Sequence, residues 1–329
     1  MSSLDSTRKV VRHHRMLRTV LIVLWTAMLT VFQPISLAVL PQGTSRKIVS
    51  DDFTKNRKET ASVESRRKAS AGQSSNNTAS QPRARRNYRL SSPSTSRTKP
   101  LSRSTAVAQL GVTLWRLRPV KANDTDARVL VREKGKSSEW IPERVEADTV
   151  FREGDHVRLS IESPGAGYLY VVDRDLFADG TTGGAMLIYP WSDRRGGDNQ
   201  MGPGKLVEIP AQEDDPSYFT ARRSSSDQVG EILTVIVTTS PLDLPISDKP
   251  FQISNVQMSK WEAIWGGQSD RFEMEGGTGE AWTKQEQQAG ARKGTRQLTR
   301  DDPAPQTIYR LPTKDKNAFL INVQLRYAR

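Results

Sequence analysis

The sequence predicts an all-β protein, an antiparallel β-sandwich of about seven to nine strands. One or two short helices follow near the C-terminus, and an export segment and a disordered tether precede the domain. Three observations carry this. Between Phe151 and Pro241 short apolar runs recur, each bounded by Gly, Pro or Asp, which suggests an antiparallel sandwich. One of them, Tyr168-Leu-Tyr-Val-Val172, is apolar on both faces, as a central strand is. The chain closes on Ala318–Tyr327, where Phe319, Ile321, Val323, Leu325 and Tyr327 share one face, the pattern of a docked amphipathic strand.

The chain opens with Arg8, Lys9, Arg12, Arg15 and Arg18, followed by 22 uncharged residues, Thr19 to Leu40. The 13-residue, mostly apolar stretch Val20 to Phe32, then Pro34 and the small-x-small triplet Ser36-Leu-Ala38, have the layout of a signal peptide cleaved after Ala38. The same run is long enough to cross a ~30 Å hydrocarbon core as an uncleaved anchor. Either way the basic flank stays inside. The remainder is exported, periplasmic or extracellular, released or held at the inner membrane by residues 19–40.

Residues 44–104 carry fifteen Lys or Arg against four acids, with Ser, Thr, Asn and Gln between them. Too little apolar surface is present to offset about 1–2 kcal/mol of backbone entropy per ordered residue. The segment is expected to be a disordered linker whose clusters, Arg66-Arg-Lys68 and Arg83-Ala-Arg-Arg86, keep it extended or touch an anionic surface.

Gly111–Leu117 and Ala127–Arg132 follow as β-rich runs that complete a domain over residues 105–265. Within its central part, His156–Glu162, Tyr168–Val172, Met186–Pro190, Lys205–Ile209 and Gly230–Thr239 are the strands. Phe251–Ser254 adds a short one. Ser259 with Glu262 forms a capping box for a short helix that lays Trp261, Ile264 and Trp265 against the sheet. Residues 266–306 are Gly- and charge-rich and predict a polar linker with one short helix at Glu280–Ala289. Residues 307–329 predict a hairpin, Gln306–Leu311 with Ala318–Tyr327, turning at Thr313–Asn317 and docked on the sandwich.

Charge and composition exclude several functions. The net charge of +12 comes from residues 1–18 at +4 and residues 44–104 at +11, which leaves the last 225 residues at −3. A basic nucleic-acid-binding domain is therefore excluded. With no cysteine there is no disulfide, thiolate nucleophile or Cys-ligated zinc. Of three histidines only His156 lies in the domain, at a strand start with no nucleophile elbow near it, so neither a histidine zinc site nor a serine triad is expected. No cofactor motif is present. Gly183-Gly184 and Gly196-Gly197 lack the strand–Gly–helix context of a phosphate loop and read as turns.

Asp173, Asp175 and Asp179 faintly resemble an oxygen-rich calcium loop without its ligand spacing, and are more simply a polar hairpin. Asp173 and Glu208 can be nominated as a carboxylate pair, but nothing in the sequence sets their separation. Among the aromatic residues Tyr168, Tyr170, Tyr189, Trp191 and Tyr218, alternation places about half in the core. The candidate binding surface is Tyr189 and Trp191 with Arg194, Arg195, Asp198 and Asn199, amphipathic rings beside hydrogen-bonding groups that suit a peptide or a glycan.

Six segments in order carry a resemblance: Phe151-Arg-Glu-Gly-Asp155, Gly167-Tyr-Leu-Tyr-Val171, Leu187-Ile-Tyr-Pro190, Gly197-Asp-Asn199, Glu208-Ile-Pro210 and Gly230–Val237. Together, over residues 145–245, they resemble the bacterial domain of unknown function 4384. Leu298–Asp302 and Pro305–Tyr309 are similar to the C-terminal extension of a secreted acidobacterial subgroup. The resemblance implies a β-sandwich module of envelope or signalling proteins that binds rather than catalyses, and it has no catalytic residues to carry over.

Three function classes follow. The first is an exported, non-enzymatic module binding a protein or peptide, or a glycan, signalled by an apolar-aromatic groove or an exposed edge strand. The second is an envelope hydrolase working through carboxylates, signalled by two close acids, one of strongly raised pKa. The third is a structural subunit of an envelope assembly, signalled by an extended apolar patch. Sequencing the N-terminus of the protein recovered from fractionated cells tests the address: a start at Val39 in an exported fraction is expected, and an intact N-terminus in the cytosol would overturn it.

Overall fold

Period-two alternation needs two cores to bury two-faced strands, and the chain supplies both. The computed structural model describes residues 45–59, 88–90, 106–133, 136–190, 198–245, 251–291, 296–313 and 315–328. In chain order the elements are α1 (Ser45–Thr54), β1 (Tyr88–Leu90), β2 (Val107–Pro119), β3 (Val129–Glu133), β4 (Lys136–Val145), β5 (Val150–Phe151), β6 (His156–Glu162), β7 (Gly167–Phe177), β8 (Ala185–Tyr189), β9 (Gln200–Met201), β10 (Val207–Ile209), β11 (Phe219–Thr220), β12 (Gln228–Thr238), β13 (Phe251–Ile253), α2 (Asn255–Trp265), β14 (Asp270–Met274), α3 (Lys284–Gly290), β15 (Thr307–Pro312) and β16 (Ala318–Tyr327).

The long strand β2 is the spine of the first sheet. One of its edges pairs with β15 and then β4, and the other with β6. β14 and β1 continue the β15 side, β3 lies outside β4, and β10 and β11 share the far edge of β6. The second sheet runs β13-β8-β7-β12-β16-β5, with β9 on β7. Pairing is antiparallel except between β16 and β5. The antiparallel sandwich is thus observed, with sixteen strands among the described residues rather than seven to nine. Many of the added strands are two or three residues long, too short for a period to show in sequence.

Residues of one parity fill the space between the sheets: Leu110, Val112 and Leu114 of β2 and Val157, Leu159 and Ile161 of β6 meet Leu169, Val171, Leu233, Val235, Ile321 and Val323. The opposite parity of the second sheet, including Tyr170, Val172, Ile236 and Leu320, is buried beneath α2 through Met258 and Trp261. That explains the doubly apolar central strand: β7 has a core on each side. Helix α2 begins earlier than the Ser259 capping box implies. Ser254 is its cap, its hydroxyl accepting from Gln257 N at 3.2 Å. The shifted start leaves Ile264 on the exposed side, while Trp261 and Trp265 stack with centroids 5.6 Å apart.

Three further expectations are corrected. Residues 45–59 are not tether. Helix α1 buries Val49 and Phe53, one turn apart, against Met274 and Ile308 on the outer face of the first sheet. Gly111 makes room for Phe53 and Pro305: a Cβ there would lie 2.7 Å from Phe53 Cζ and 2.2 Å from Pro305 Cγ. Residues 266–291 and 296–306 are not a linker either, because β14 joins β15, and Trp282 and α3 cover the same outer face. The helix there is Lys284–Gly290, capped by a box of Thr283 and Glu286. The C-terminal hairpin does not form: β15 lies in the first sheet and β16 in the second. Alternation placed Val157, Leu159 and Ile161 of β6 and the inward face of β16 in the core, although Arg158, Ser160 and Glu162 on the other face of β6 are buried as well. A strand's neighbours, by contrast, are chosen by the whole sheet. The signal or anchor segment 1–43 lies outside the described residues, as do 60–87 and 91–105. Among the described residues no helix is long and apolar enough to cross a membrane.

What holds the polar segments down is charge. Three guanidiniums are buried on the outer face of the first sheet, each against a buried carboxylate: Arg57–Glu162, Arg144–Glu286 and Arg158–Glu208. Arg57 is bidentate on Glu162 at 2.7 and 2.5 Å and also donates to the carbonyls of Thr299, Asp302 and Pro303. Removing one member strands a buried charge. Arg57→Ala should lower the unfolding free energy by about 3–5 kcal/mol, and the double change Arg57→Met/Glu162→Leu should recover most of it. Urea unfolding of the two variants checks both.

Candidate functional site

Two adjoining hollows lie at one side of the sandwich, and the core pattern explains each. The first is an apolar groove of about 200 Å³. Its walls are Ile188 and Tyr189 at the end of β8, and the loop Pro210–Tyr218 that joins β10 to Phe219 of β11. The loop is anchored at both ends by one side chain. From the outer face of β6, Arg158 donates to Glu208 Oε2 at 2.9 Å and to the carbonyl of Ser217 at 2.8 Å. Ser217 Oγ reaches Leu130 O at 3.0 Å, Gln212 Nε2 reaches Gln287 O at 2.7 Å, and Ala211 N is held by Asp214 Oδ2 at 2.8 Å. The bonds before Pro190, Pro210 and Pro216 are cis. Trp282 lies over the Arg158 guanidinium at 5.5 Å, and Gly290 lets α3 close on Glu208, whose Oε1 would be 2.1 Å from a Cβ.

The second hollow, about 120 Å³, shares Ile188 and Phe219 with the first. It forms where the inner faces of β7, β12 and β16 change from apolar to polar. Asp173 and Asp175 continue the parity of Leu169 and Val171, Glu231 continues that of Leu233 and Val235, and Tyr327 follows Leu325. Asp175 sits directly opposite Glu231, and Asp173 opposite Leu233. Like charges opposed across a sheet repel, and burial disfavours them further. Burial, followed by the charges of Glu231 and Asp175, raises the Asp173 carboxyl to about 7, and its Oδ1 makes no hydrogen bond. Burial raises Glu231 as well, opposed by a hydrogen bond from the Tyr327 hydroxyl, which is itself pushed up by burial and by Glu231. Near neutrality the acid pair is therefore partly protonated. Such a pair can donate and accept hydrogen bonds, or act as acid and base.

The residues nominated from sequence are distributed unevenly over this site. Tyr189 is buried in the inter-sheet core and lines the groove, its hydroxyl 3.4 Å from Asp198 O. Asn199 is buried and structural: Leu169 N donates to its carbonyl, and its Nδ2 donates to Leu169 O, both at 2.9 Å. That corrects its assignment to a binding surface. Asp198 is exposed and accepts from Gln200 N at 3.0 Å. Trp191, Arg194 and Arg195 lie outside the described residues. Of the other aromatic residues, Tyr170 and Tyr218 are buried and Tyr168 is half-buried. His156 packs between Trp140 and Tyr218, at centroid distances of 4.8 and 4.0 Å.

Asp173 and Glu208 do line the two adjoining hollows, but the structure does not make them a pair. Glu208 belongs to Arg158, and the carboxylate beside Asp173 is Glu231. The calcium reading also loses a member, since Asp179 is closed on itself through Thr181 N and Oγ1 at 2.8 and 2.7 Å. Among the described residues no group of three or more His, Asp or Glu could hold a metal ion. Phe219, Ile188, Glu231 and Tyr327 were not nominated from sequence. Glu231 was nonetheless legible, as an acid at an inward position of an otherwise apolar strand.

The raised acid makes stability depend on pH with a definite sign. The folded state keeps the Asp173 proton to about 7, whereas the unfolded chain releases it near 3.8. Between those values the folded state binds more protons, so this group's contribution falls as pH rises from about 4 to 7 and is flat above. Asp173→Asn should remove that fall and be more stable than the wild type at pH 8, with little difference at pH 4. Urea midpoints at the two pH values check this.

No protein-family model, no curated protein and no solved structure matches the chain.

Proposed function

We propose that the protein is an exported, non-enzymatic β-sandwich module of the bacterial envelope, of the domain of unknown function 4384 type, which binds a peptide or partner protein through the Phe219 groove. The observation that carries this reading is a preformed apolar-aromatic groove held open by a buried ion pair. Its loop is tied down at both ends by Arg158, so a ligand meets a site with little left to order. It also lies beside β10, which pairs with β6 and with no other described strand, so an extended segment can lie along that edge while one large apolar side chain enters the groove. A structural-subunit role draws less support. The exposed large apolar residues, Val107, Leu130, Val150, Val256 and Ile264, are spread over β2, β3, β5 and α2.

A displayed library of random peptides, selected on the purified full chain, tests the proposal. Enrichment of sequences with an aromatic or large aliphatic anchor is expected. Their affinity should drop at least tenfold on Phe219→Asp, a variant whose circular dichroism should match the wild type. If nothing is enriched, or the selected peptides bind the variant equally well, the groove is not a recognition site.

A second reading, the carboxylate hydrolase, is favoured by one observation: Asp173 stays protonated to about pH 7 beside Glu231. Turnover of a panel of aryl glycosides or peptidyl amides that disappears in Asp173→Asn would replace the binding reading with this one.

A further inference from the structure

We infer that a second, polar cleft at the other end of β12 and β16 binds an oligosaccharide carrying uronic-acid carboxylates. β16 starts at this cleft with Ala318 and Phe319 and finishes at the acid pocket with Leu325 and Tyr327. The cleft encloses about 550 Å³, within the range of small-molecule sites. It is walled by α1, the start of β2, the β6–β7 turn Ser163–Ala166, the end of β12 and the loop 315–317.

The chemistry of the ligand follows from unmet hydrogen-bonding capacity. Among the described residues three cations line the cleft, Lys55, Arg310 and Lys316, against two carboxylates, Asp52 and Asp315. Both carboxylates are engaged. Asp52 accepts from Lys55 Nζ at 2.6 Å and from Gln109 Nε2 at 2.5 Å, and Asp315 accepts from Asn317 N at 2.8 Å. Arg310 is left with its nearest carboxylate oxygen, on Asp52, at 3.8 Å, beyond hydrogen-bond range, and its side chain is 30 % exposed. Among the described residues neither Arg310 nor Lys316 has a hydrogen-bonded partner for its charge. Beside Arg310 in the sheet, paired with it across β15 and β2, is Gln109. Asp52 compels the Gln109 amide to present its NH₂, which leaves Oε1 buried and without a donor. The pair therefore lacks an acceptor for the guanidinium and a donor for the amide oxygen.

A hydroxylated carboxylate supplies both, since its anion fits the planar fork of arginine and its hydroxyls donate as well as accept. A plain carboxylate offers no donor to Gln109, and a neutral sugar offers no charge to Arg310 and Lys316. Val237, Ala318 and Phe319 add apolar surface against which the C–H face of a sugar ring can lie. The cleft shares no lining residue with the Phe219 groove, so the two sites stand or fall separately.

Calorimetric titration of the full chain with trigalacturonate, beside its fully methyl-esterified form, tests the inference. Binding of the acid with a Kd of about 1 mM or tighter is expected, at least tenfold weaker for the ester and at least tenfold weaker for Arg310→Gln. The ester arm needs no variant, so it decides the question even if Arg310→Gln fails to fold. In that event Lys316→Gln, on an exposed loop, should show a several-fold loss. No binding of the acid, equal binding of acid and ester, or equal binding of a short peptide through its free C-terminal carboxylate would each overturn the assignment. Phe219→Asp should bind the sugar as the wild type does. If the sugar binds and no peptide is ever selected, the cleft stands and the groove reading falls.

Discussion

The outer face of the first sheet carries buried arginine, and much of the molecule is arranged to make that tolerable. A guanidinium moved out of water costs several kcal/mol unless a carboxylate and further acceptors replace the lost hydration. Arg57, Arg144 and Arg158 each receive such a partner, and Trp115 and Trp282 lie over Arg144 and Arg158 at 5.0 and 5.5 Å. No single segment could supply all of this. The carboxylate for Arg144 comes from the first turn of α3, and the carbonyls around Arg57 come from the loop before β15. Arg57 itself arrives just after α1. Segments with little apolar surface are held to the sandwich because each brings a piece of this network, and taking any piece away leaves a charge stranded.

The same network reaches the candidate site. Arg158 is a structural cation that also fixes the loop beside the groove, so the shape of the site is set from the far side of the sheet. Rigidity acquired this way lowers the ordering a ligand must impose. The acid pocket next to it has the opposite character. Asp173, Asp175 and Glu231 occupy inward positions where aliphatic residues would be more stable, and among the described residues no guanidinium is paired with them. Half-buried, mutually repelling acids that cost stability are the residues most in need of a functional reason.

The two ends of the second sheet thus differ in the chemistry they offer. One presents apolar surface beside partly protonated carboxyls, the other cations and one amide, that of Gln109, with an unmet hydrogen bond. The acids come from β7 and β12, whereas Arg310 and Gln109 come from β15 and β2 of the first sheet. β12 and β16 are apolar in the middle, where the sheets press together, and become polar where the sandwich opens.

By itself the sequence determined what depends on neighbours along the chain. The period of two put Val157, Leu159 and Ile161 in the core, placed β7 centrally, and gave β16 its buried face, because side-chain direction in a strand is a local property. The same parity puts Asp173 and Glu231 at inward positions, against the reading of Asp173 as part of a polar hairpin. Only the tertiary structure decided which sheet each strand joins, so the expected hairpin of β15 and β16 became two strands in opposite sheets. It alone decided that residues 45–59, 266–291 and 296–306 fold, since a buried Arg–Glu pair about a hundred residues apart leaves no period and no apolar run to read. The groove and the cleft belong to the same class. Phe219 meets Ile188, and Arg310 lies beside Gln109, through contacts across the sandwich or the sheet, which composition and spacing do not encode.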